Sequence, residues 1–468
     1  MNPQHIYIAL TLANAMFIQS FSHSSLGTAL PAIAADFGLD PLRLSVAVTA
    51  EALTLAAFMP MSGWLAGRFG SRRVFFAAVL LFAAATAGCA LSRSLEMLVG
   101  FRALQGIGGA MMVPVSRLVL LLLIPRNQLV QAMTWVTIPA LMGVVLGPPV
   151  AGALVTYLHW TALFWVVLPF CAMLFALAWV KLEDSRDADA PPFDWPGVLL
   201  SALGIAGLLL ALDRLAHGAD GMTALGLAGV SALLLLAYLR HARTAAAPII
   251  DLRLLQVPAY RIAVLGGVVF RSAQSCVPFL LPILFQTVFG WSALLTGGLM
   301  LSSALAAFLV KFAAPVILHR AGFRGVLVWN GIMTALGIVA CAGFGPGTPH
   351  AAVVVVLFMV GWMRSLQYTA LNVLTYSDLN EKEMTQATGV SSMLQQLAEA
   401  FGVGMSALVM QLATRGDQAA GGPAYIFAFV FFGCWALAAQ VFFIRLRPEH
   451  GAQAGLGGAR RGYAPNQP

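Results

Sequence analysis

The stretch Gly63–Val74, GWLAGRFGSRRV, places three arginines between two long apolar runs. A related stretch, Pro315–Val326, PVILHRAGFRGV, lies between two later apolar runs. Aligned without gaps, the two stretches have identical residues at Arg68 and Arg320, Gly70 and Gly322, Arg72 and Arg324, and Val74 and Val326. We therefore predict a chain built from two related halves, each with one copy of this basic turn.

The chain around these turns is predominantly apolar. Hydrophobic residues make up 60% and charged residues 9% of its 468 residues, and the mean hydropathy is +0.86. This composition excludes a soluble globular chain and predicts a multi-pass membrane protein. The apolar runs each have close to the roughly 20 residues that a helix needs to cross the hydrocarbon core. The first run has no lysine or arginine ahead of it and is followed by further runs, so we expect no cleaved signal peptide.

Polar or turn-rich junctions divide the runs into fourteen predicted spans. The spans are 6–35, 43–67, 74–92, 96–124, 128–157, 160–181, 195–213, 222–240, 260–289, 292–318, 325–344, 350–377, 384–414 and 423–445. Seventeen lysines and arginines fall in even-numbered junctions or the C-terminal tail, and four fall in odd-numbered junctions. Because cytoplasmic loops are enriched in positive residues, we predict that both termini are cytoplasmic. The net charge of +8 then indicates contact with anionic membrane lipids rather than a nucleic-acid partner.

The repeat predicts an all-α polytopic fold with two six-helix bundles. Residues 1–185 form the N-terminal bundle and residues 258–447 the C-terminal bundle. Two inserted transmembrane helices with their flanking loops occupy residues 186–257, and residues 448–468 form a cytoplasmic tail that we predict to be disordered. Transporters built from parallel repeats place the substrate site between the repeats, so we expect the site at that interface.

Three motifs resemble those of the major facilitator superfamily. Gly63–Val74 resembles its signature between helices two and three, and Leu98–Pro114, LVGFRALQGIGGAMMVP, resembles its fourth-helix motif with Arg102 in the basic position. Gly143–Gly152, GVVLGPPVAG, resembles the fifth-helix motif of proton-coupled exporters. With fourteen spans, the set resembles the drug:proton antiporter branch, and the run GAMMVPVSRL at 109–118 is similar to bacterial multidrug exporters.

The resemblance implies a major facilitator fold in the bacterial cytoplasmic (inner) membrane and proton-coupled multidrug efflux by alternating access. It implies a small-molecule substrate and protons as partners, and it leaves association with other efflux components open. The sequence has no GxxxxGK[ST] phosphate-binding loop, and its five cysteines lack metal-ligand spacing. We therefore predict no enzyme, no cofactor and no metal, with an ion gradient as the energy source.

The resemblance also implies conformational roles for the motif residues. These are Gly63, Gly67, Arg68, Gly70, Arg72 and Arg73 in the loop signature, and Gly143, Gly147, Pro148 and Gly152 in the fifth-helix motif. Gly143 and Gly147 have the spacing that lets two membrane helices approach closely. The resemblance implies that this segment acts as a pivot and seal between the halves. The alternative is that its small residues only allow the helices to pack closely. Gly67 replaces the aspartate usual in the family, so one charged partner of the family's outward-facing latch is missing.

Ionisable residues inside the spans are candidates for coupling and binding. A charge at the helix centre costs roughly 2.5–3.5 kcal/mol on insertion scales, so it must face water or the bundle interior. Five cations qualify, namely Arg102, Arg117, Arg271, Lys311 and Arg364. The clear acids are Glu51 and Glu399.

The first-helix acid that is usual in drug:proton exporters is absent, and His23 occupies its region. Glu399 shares a polar helical face with Gln395 and Gln396, and it is our leading candidate for the proton carrier. Glu51 is the second candidate, and His23 is the third because histidine changes its charge near neutral pH. Arg102 is predicted to act on a neighbouring acid in coupling. The alternatives are structural ion pairs for the charged residues and a packing role for His23.

Two substrate classes stay open at this stage. A drug pocket would have apolar and aromatic walls, with Phe270 and Tyr368 among them. An organic-anion exporter would use the cations of the pathway, because arginine suits bidentate carboxylate binding. These cations are Arg117, Arg271, Lys311 and Arg364, and Gln395 and Gln396 lie on the same predicted pathway. A third hypothesis is a non-transporting sensor on a transporter scaffold, which the missing first-helix acid and Gly67 would fit.

Overall fold

The computed structural model describes residues 3–59, 61–123, 129–181, 194–216, 221–245, 252–379, 381–414 and 422–447. Within these ranges the chain is helical and contains no β-strand, which confirms the all-α class. A helix satisfies its backbone hydrogen bonds within one segment, and for that reason a chain this apolar folds into helices in lipid.

The described helices follow one another along the two halves. The first half contains α1 (Pro3–Phe37), α2 (Ser45–Phe58), α3 (Met61–Phe69), α4 (Ser71–Ala90), α5 (Leu95–Leu123), α6 (Leu129–Tyr157) and α7 (Ala162–Lys181). Between the halves lie α8 (Trp195–Ala216) and α9 (Gly221–Thr244). The second half contains α10 (Pro258–Gln274), α11 (Cys276–Ile283), α12 (Ala293–Gly325), α13 (Gly331–Ala340), α14 (His350–Tyr376), α15 (Glu381–Thr414), α16 (Gly422–Ala438) and α17 (Gln440–Phe443).

Eleven helical stretches of the described chain are long and apolar enough to cross a membrane. One of them, Ala293–Gly343, has 51 residues, and its backbone leaves helical geometry at Gly322 (φ 66°, ψ 164°). Helix α1, with 35 residues, is not among these eleven stretches. The multi-pass membrane class is therefore confirmed, whereas the number of fourteen spans stays a prediction.

Reporter fusions test the predicted topology. A reporter fused after Ala219 should lie outside the cell and one fused at Pro468 should lie in the cytoplasm, because fourteen spans place these positions on opposite sides. Alkaline phosphatase activity marks the external site and green fluorescence the cytoplasmic site. The same side for both fusions would rule out the predicted helix count.

Left-handed backbone conformations mark equivalent turns of the two halves. Positive φ angles occur in the described chain at Gly38 (65°), Gly70 (96°), Gly290 (69°) and Gly322 (66°), and glycine adopts such angles without steric strain. Gly38 and Gly290 differ by 252 in residue number, and so do Gly70 and Gly322. The two halves therefore turn at equivalent positions after their first and second predicted spans.

Of the predicted domain boundaries, the one after residue 185 and the tail 448–468 lie outside the described residues. The boundary after residue 257 coincides with the start of α10 at Pro258.

The inserted helices lie against the seam between the halves. Helices α8 and α9 pack on each other, and α8 also contacts α2 of the first half and α15 of the second. Ile205 of α8 packs on the small cluster formed by the buried residues Ala52 and Ala400. At the start of α8 the Trp195 ring meets the Trp64 ring of α3 edge-on, with 6.3 Å between centroids. The insert thus covers the line along which α2 and α15 meet.

Candidate functional site

A cavity of ≈ 1000 Å³ lies between the two halves. Helices α1, α2, α3, α5 and α6 line it from the first half, and α10, α11, α12, α14 and α15 line it from the second. Its wall is mainly apolar, with side chains such as Phe279, Met300 and Phe308, and it is interrupted by a few polar groups. This volume and this mixed lining suit a small organic molecule.

Two predicted proton-site residues meet in this cavity. His23 of α1 and Glu399 of α15 both line it, and the His23 Nε2 atom lies 3.7 Å from the Glu399 Oε2 atom. Their side chains are 44% and 28% exposed, so both groups are accessible from the cavity. Because α1 and α15 belong to different halves, this ionisable pair spans the interface between them.

Two predicted cations, Lys311 of α12 and Arg364 of α14, also line the cavity. The Lys311 Nζ atom donates a hydrogen bond of 2.7 Å to Thr369 Oγ1, so the amine points inward and does not extend towards the membrane surface. Among the residues that the structure describes, neither cation has a carboxylate within 4.0 Å. The second half therefore contributes two uncompensated positive charges to the cavity.

Arg271 and Phe270 lie behind the cavity wall, contrary to the predicted pathway. Tyr368 lines the cavity, and the Arg271 guanidinium, which does not line it, lies over the Tyr368 ring, 4.1 Å from the centroid. Phe270 is fully buried and meets the Tyr368 ring edge-on at 6.0 Å. Both residues belong to the last turns of α10, whose buried face packs into the second half, so they support Tyr368 from behind.

Amide side chains complete the polar lining. The predicted residues Gln395 and Gln396 line the cavity on α15. Gln19 and Gln274 also line it, and the sequence analysis did not select them. The Gln274 amide is buried, and neither its nitrogen nor its oxygen has a hydrogen-bond partner in the described protein. An uncharged amide inside an apolar span was the available signal, but the sequence analysis selected amides only on the helical face of Glu399.

A buried ion pair lies within the first half, outside the cavity. Arg102 of α5 donates hydrogen bonds to Glu51 of α2 and, at 2.5 Å, to Gln105 Oε1. Both charged side chains are 1% exposed. The Gln105 Nε2 atom donates to Thr86 Oγ1 at 2.8 Å and to Ser22 Oγ at 3.3 Å. The network ties α2, α4 and α5 to α1 beside His23.

The glycines of the fifth-helix motif form a close contact between α6 and α1. A Cβ on Gly143 would lie 2.7 Å from the carbonyl oxygen of Phe17, and a Cβ on Gly147 would overlap Ser24 Oγ. The Ser24 hydroxyl donates a hydrogen bond of 3.1 Å to the carbonyl of Gly143. Any side chain larger than hydrogen at these positions would separate the two helices.

The end of the same motif contacts the other half. A Cβ on Gly152 would overlap the carbonyl of Ala293 at the start of α12, and a Cβ on Gly297 of α12 would overlap the carbonyl of Pro148. Helix α6 therefore holds α1 with its first two glycines and α12 with the rest of the motif.

The halves are also hydrogen-bonded at this end of the cavity. The Gln286 side chain donates to the carbonyl of Thr28 at 2.9 Å, and the backbone N–H of Leu294 donates to Thr156 Oγ1 at 3.0 Å. The predicted orientation makes this the external end. In the opposite direction, the cavity lining extends as far as Met59 and Ser62, towards the predicted cytoplasmic side.

The loop signature Gly63–Val74 lies at the junction of α3 and α4 in the first half. Gly70 precedes α4 with a φ of 96°, and Arg72 in the first turn of α4 donates to the carbonyl of Trp179 on α7 at 3.1 Å. The Arg72 guanidinium also lies 5.7 Å from the Phe76 ring and 5.5 Å from the Trp179 ring. Arg72 thus fastens α4 to α7. The other signature residues lie on α3 or early in α4: Gly63, Gly67, Arg68 and Arg73.

Arg117 lies on α5, and its side chain is outside the described residues. The predicted place of Arg117 on the substrate pathway is therefore untested.

The chain has two related helical halves, and they enclose a cavity lined by apolar and charged side chains. This is the architecture of a membrane transporter. A sequence profile of the Major Facilitator Superfamily matches residues 12–403. The chain belongs to the Major Facilitator Superfamily, which confirms the resemblance seen in the three motifs.

Individual relatives agree with this assignment. The chain is 35% identical over 400 residues to proteins named multidrug resistance protein MdtD from Salmonella paratyphi A and Salmonella typhimurium, with 85% of this chain and 85% of each relative covered. Its fold is similar to that of the nucleoside transporter NupG, with a TM-score of 0.61, 13% identity and coverage of 96% and 100% of the two chains. It is also similar to a POT family transporter in complex with a thioalcohol-conjugated peptide, with a TM-score of 0.69, 14% identity and coverage of 94% and 95%.

Proposed function

We propose that this protein exports small molecules from the bacterial cytoplasm in exchange for protons, by alternating access of the central cavity. The His23–Glu399 pair carries the proposal, because it places an ionisable group from each half in the same cavity at 3.7 Å. Transport, rather than catalysis, is then the activity, with the chain in the inner membrane and both termini cytoplasmic. The relatives named as multidrug resistance proteins support the direction of transport.

The pair offers a direct way to link protonation to the arrangement of the halves. When both groups are charged, their attraction holds α1 near α15; when Glu399 takes up a proton, that attraction disappears. A cationic substrate entering the cavity competes with His23 for Glu399. Proton binding and substrate binding would thereby favour different arrangements, which is the requirement for exchange.

The Arg102–Glu51 network is proposed to support coupling indirectly. Gln105 connects it to Ser22, the residue before His23, so a change in the ion pair reaches the cavity through α1. The position of Arg102 in the fourth-helix motif supports the same role. The wholly structural alternative is that the pair only fixes the packing of α2 on α5.

An Arg102→Ala variant is expected to lose pH-dependent export. Removing one partner of a buried pair costs about 3–5 kcal/mol, so part of the loss will come from folding. The double variant Arg102→Met with Glu51→Leu removes both charges and should fold. Measured in proteoliposomes, export by this double variant should no longer depend on pH. If it keeps the wild-type pH dependence, Arg102 has no part in coupling.

Organic anions are the second candidate substrate class. The favouring observation is that Lys311 and Arg364 face the cavity without a carboxylate partner among the described residues. Charge-assisted hydrogen bonds to a carboxylate are stronger than those between neutral groups, so these cations would select an anionic substrate. The apolar wall and Glu399 instead favour a lipophilic cation.

Everted membrane vesicles separate these possibilities. Ethidium serves as the cationic probe and carboxyfluorescein as the anionic probe, each with and without an imposed proton gradient. Gradient-dependent accumulation of either probe supports the exporter. Absence of any probe-driven proton flux would support the non-transporting sensor instead.

The variants Lys311→Gln and Arg364→Gln are expected to distinguish the two substrate classes. For an anion exporter, each should raise the KM for carboxyfluorescein about tenfold or more, since each removes one charge-assisted hydrogen bond. Ethidium export should be unchanged or improved. The matched control is Arg243→Gln at the exposed end of α9. Equal effects on both probes would mean that the two cations do not select for charge.

A further inference from the structure

Arg271 is a buried cation that the proposed exchange does not use. Its side chain is 5% exposed, and within the described chain it has no carboxylate within 4.0 Å. The Arg271 Nη2 atom donates to a neutral acceptor, Asn372 Oδ1, at 2.9 Å, and the guanidinium lies on the Tyr368 ring. A neutral amide and an aromatic ring offset only part of the cost of burying a full charge.

A second, much smaller cavity adjoins this guanidinium. Its volume is ≈ 20 Å³, and Arg271, Asn372, Ser391 and Gln395 contribute its polar lining together with Thr375. This volume holds about one water molecule or one halide ion, and it excludes an organic substrate. The amides of Asn372 and Gln395 can donate hydrogen bonds into it. The hydroxyls of Ser391 and Thr375 instead donate to Tyr260 Oη at 3.4 Å and to the Leu371 carbonyl at 2.7 Å.

The charges around this cavity are mainly positive. Lys311 and Arg364 line the large cavity together with Tyr368, whose ring centroid lies 4.1 Å from the Arg271 guanidinium. Arg271 therefore lies behind a wall that already carries two cations, and like charges repel. Glu399 lines the same large cavity, but its carboxylate pairs with His23 at 3.7 Å. An anion bound next to Arg271 would reduce this repulsion and complete the coordination of the guanidinium.

We propose that Arg271 and the small cavity bind one compact inorganic anion, for which chloride is the probe, between α10, α14 and α15. The anion accepts hydrogen bonds from Arg271 and from the amides of Asn372 and Gln395. It stabilises the Tyr368 ring in the wall of the large cavity, because the same guanidinium holds both. The thermal stability of the second half therefore depends on chloride even when no substrate is present.

Thermal unfolding of the purified full-length protein tests this site. Sodium chloride is compared with sodium gluconate at equal ionic strength, since gluconate is too large for a cavity of ≈ 20 Å³. The unfolding midpoint is expected to rise saturably with chloride by roughly 2–4 °C. Arg271→Gln should abolish the rise, and the matched control Arg243→Gln, at an exposed position of α9 that lines neither cavity, should retain it.

Several outcomes would overturn the assignment. Equal midpoints in chloride and gluconate, or an undiminished rise in Arg271→Gln, would do so. A rise in sodium formate without one in chloride would assign the cavity to a carboxylate group and reject the halide. If Arg271→Gln does not fold, Gln395→Leu should raise the half-saturating chloride concentration by about tenfold, and an unchanged value would reject the site. The experiment uses neither substrate nor proton gradient, so its result is independent of the proposed export.

Discussion

A Glu399→Gln variant is expected to exchange substrate across the membrane but to lose proton-driven accumulation. Glutamine keeps the size and hydrogen-bonding capacity of the glutamate, but it cannot release or take up a proton at this position. It also cannot form an ion pair with His23 across the halves. The cavity would then bind and release substrate on both sides, while the gradient would no longer drive net movement.

The two activities are measured in the same proteoliposomes. Counterflow of labelled probe without a gradient reports exchange, and uptake against an imposed pH difference reports coupling. Glu96→Gln is the matched control, because Glu96 is an acid in the first turn of α5 that does not line the cavity. Retained accumulation with an unshifted pH profile would make Glu399 structural and move the proton-carrier hypothesis to Glu51 or His23.

The sequence identified the members of this pair but not the pairing. His23 and Glu399 stood out because each is an ionisable residue inside an apolar run. Helical periodicity indicates which residues share a face on one helix, as for Glu399 and Gln395. It carries no information about which distant helix lies opposite. The contact of 3.7 Å depends on how the two halves assemble.

For the same reason, the sequence could not predict which way the other charged side chains inside the spans point. Counting residues along a span gives the depth of a side chain but not the direction in which it points. Of Arg271 and Arg364, only Arg364 lines the large cavity, because the buried face of α10 turns Arg271 into the second half. Likewise, the partner of Glu51 stayed open until the structure paired it with Arg102.

The sequence repeat could be detected at the turns flanked by arginines, but it was missed at the turns where few residues are identical. Gly70 and Gly322 were aligned because arginines flank both of them. Gly38 and Gly290 also have positive φ and the same separation, yet within three residues on either side only the adjacent Phe37 and Phe289 are identical besides the glycines themselves. Two identical residues carry too little information to indicate a repeat. The turn is shared because a left-handed backbone needs glycine, while its neighbours are free to differ.

A Gly147→Leu variant is expected to abolish transport while the protein still inserts in the membrane. Even the first carbon of a side chain at Gly147 would overlap Ser24 Oγ and lie 3.1 Å from the backbone nitrogen of Ser25. Serine can rotate its hydroxyl away, but the backbone of α1 cannot yield without moving the helix. Leucine would therefore separate α6 from α1, and the displaced α6 would lose its contact with α12 at Pro148.

The size dependence of this effect makes the prediction specific. Gly147→Ala should impair transport partly, and adding Ser24→Ala should restore it, because that change removes the overlapping hydroxyl. Gly229→Leu on α9 is the matched control, since no atom lies within 4 Å of a Cβ placed there. Expression and membrane insertion are measured by fluorescence of a C-terminal fusion, and transport by probe efflux. Near-normal efflux by Gly147→Leu at normal expression would mean that α1 and α6 can separate freely here, and it would remove the pivot role from this motif.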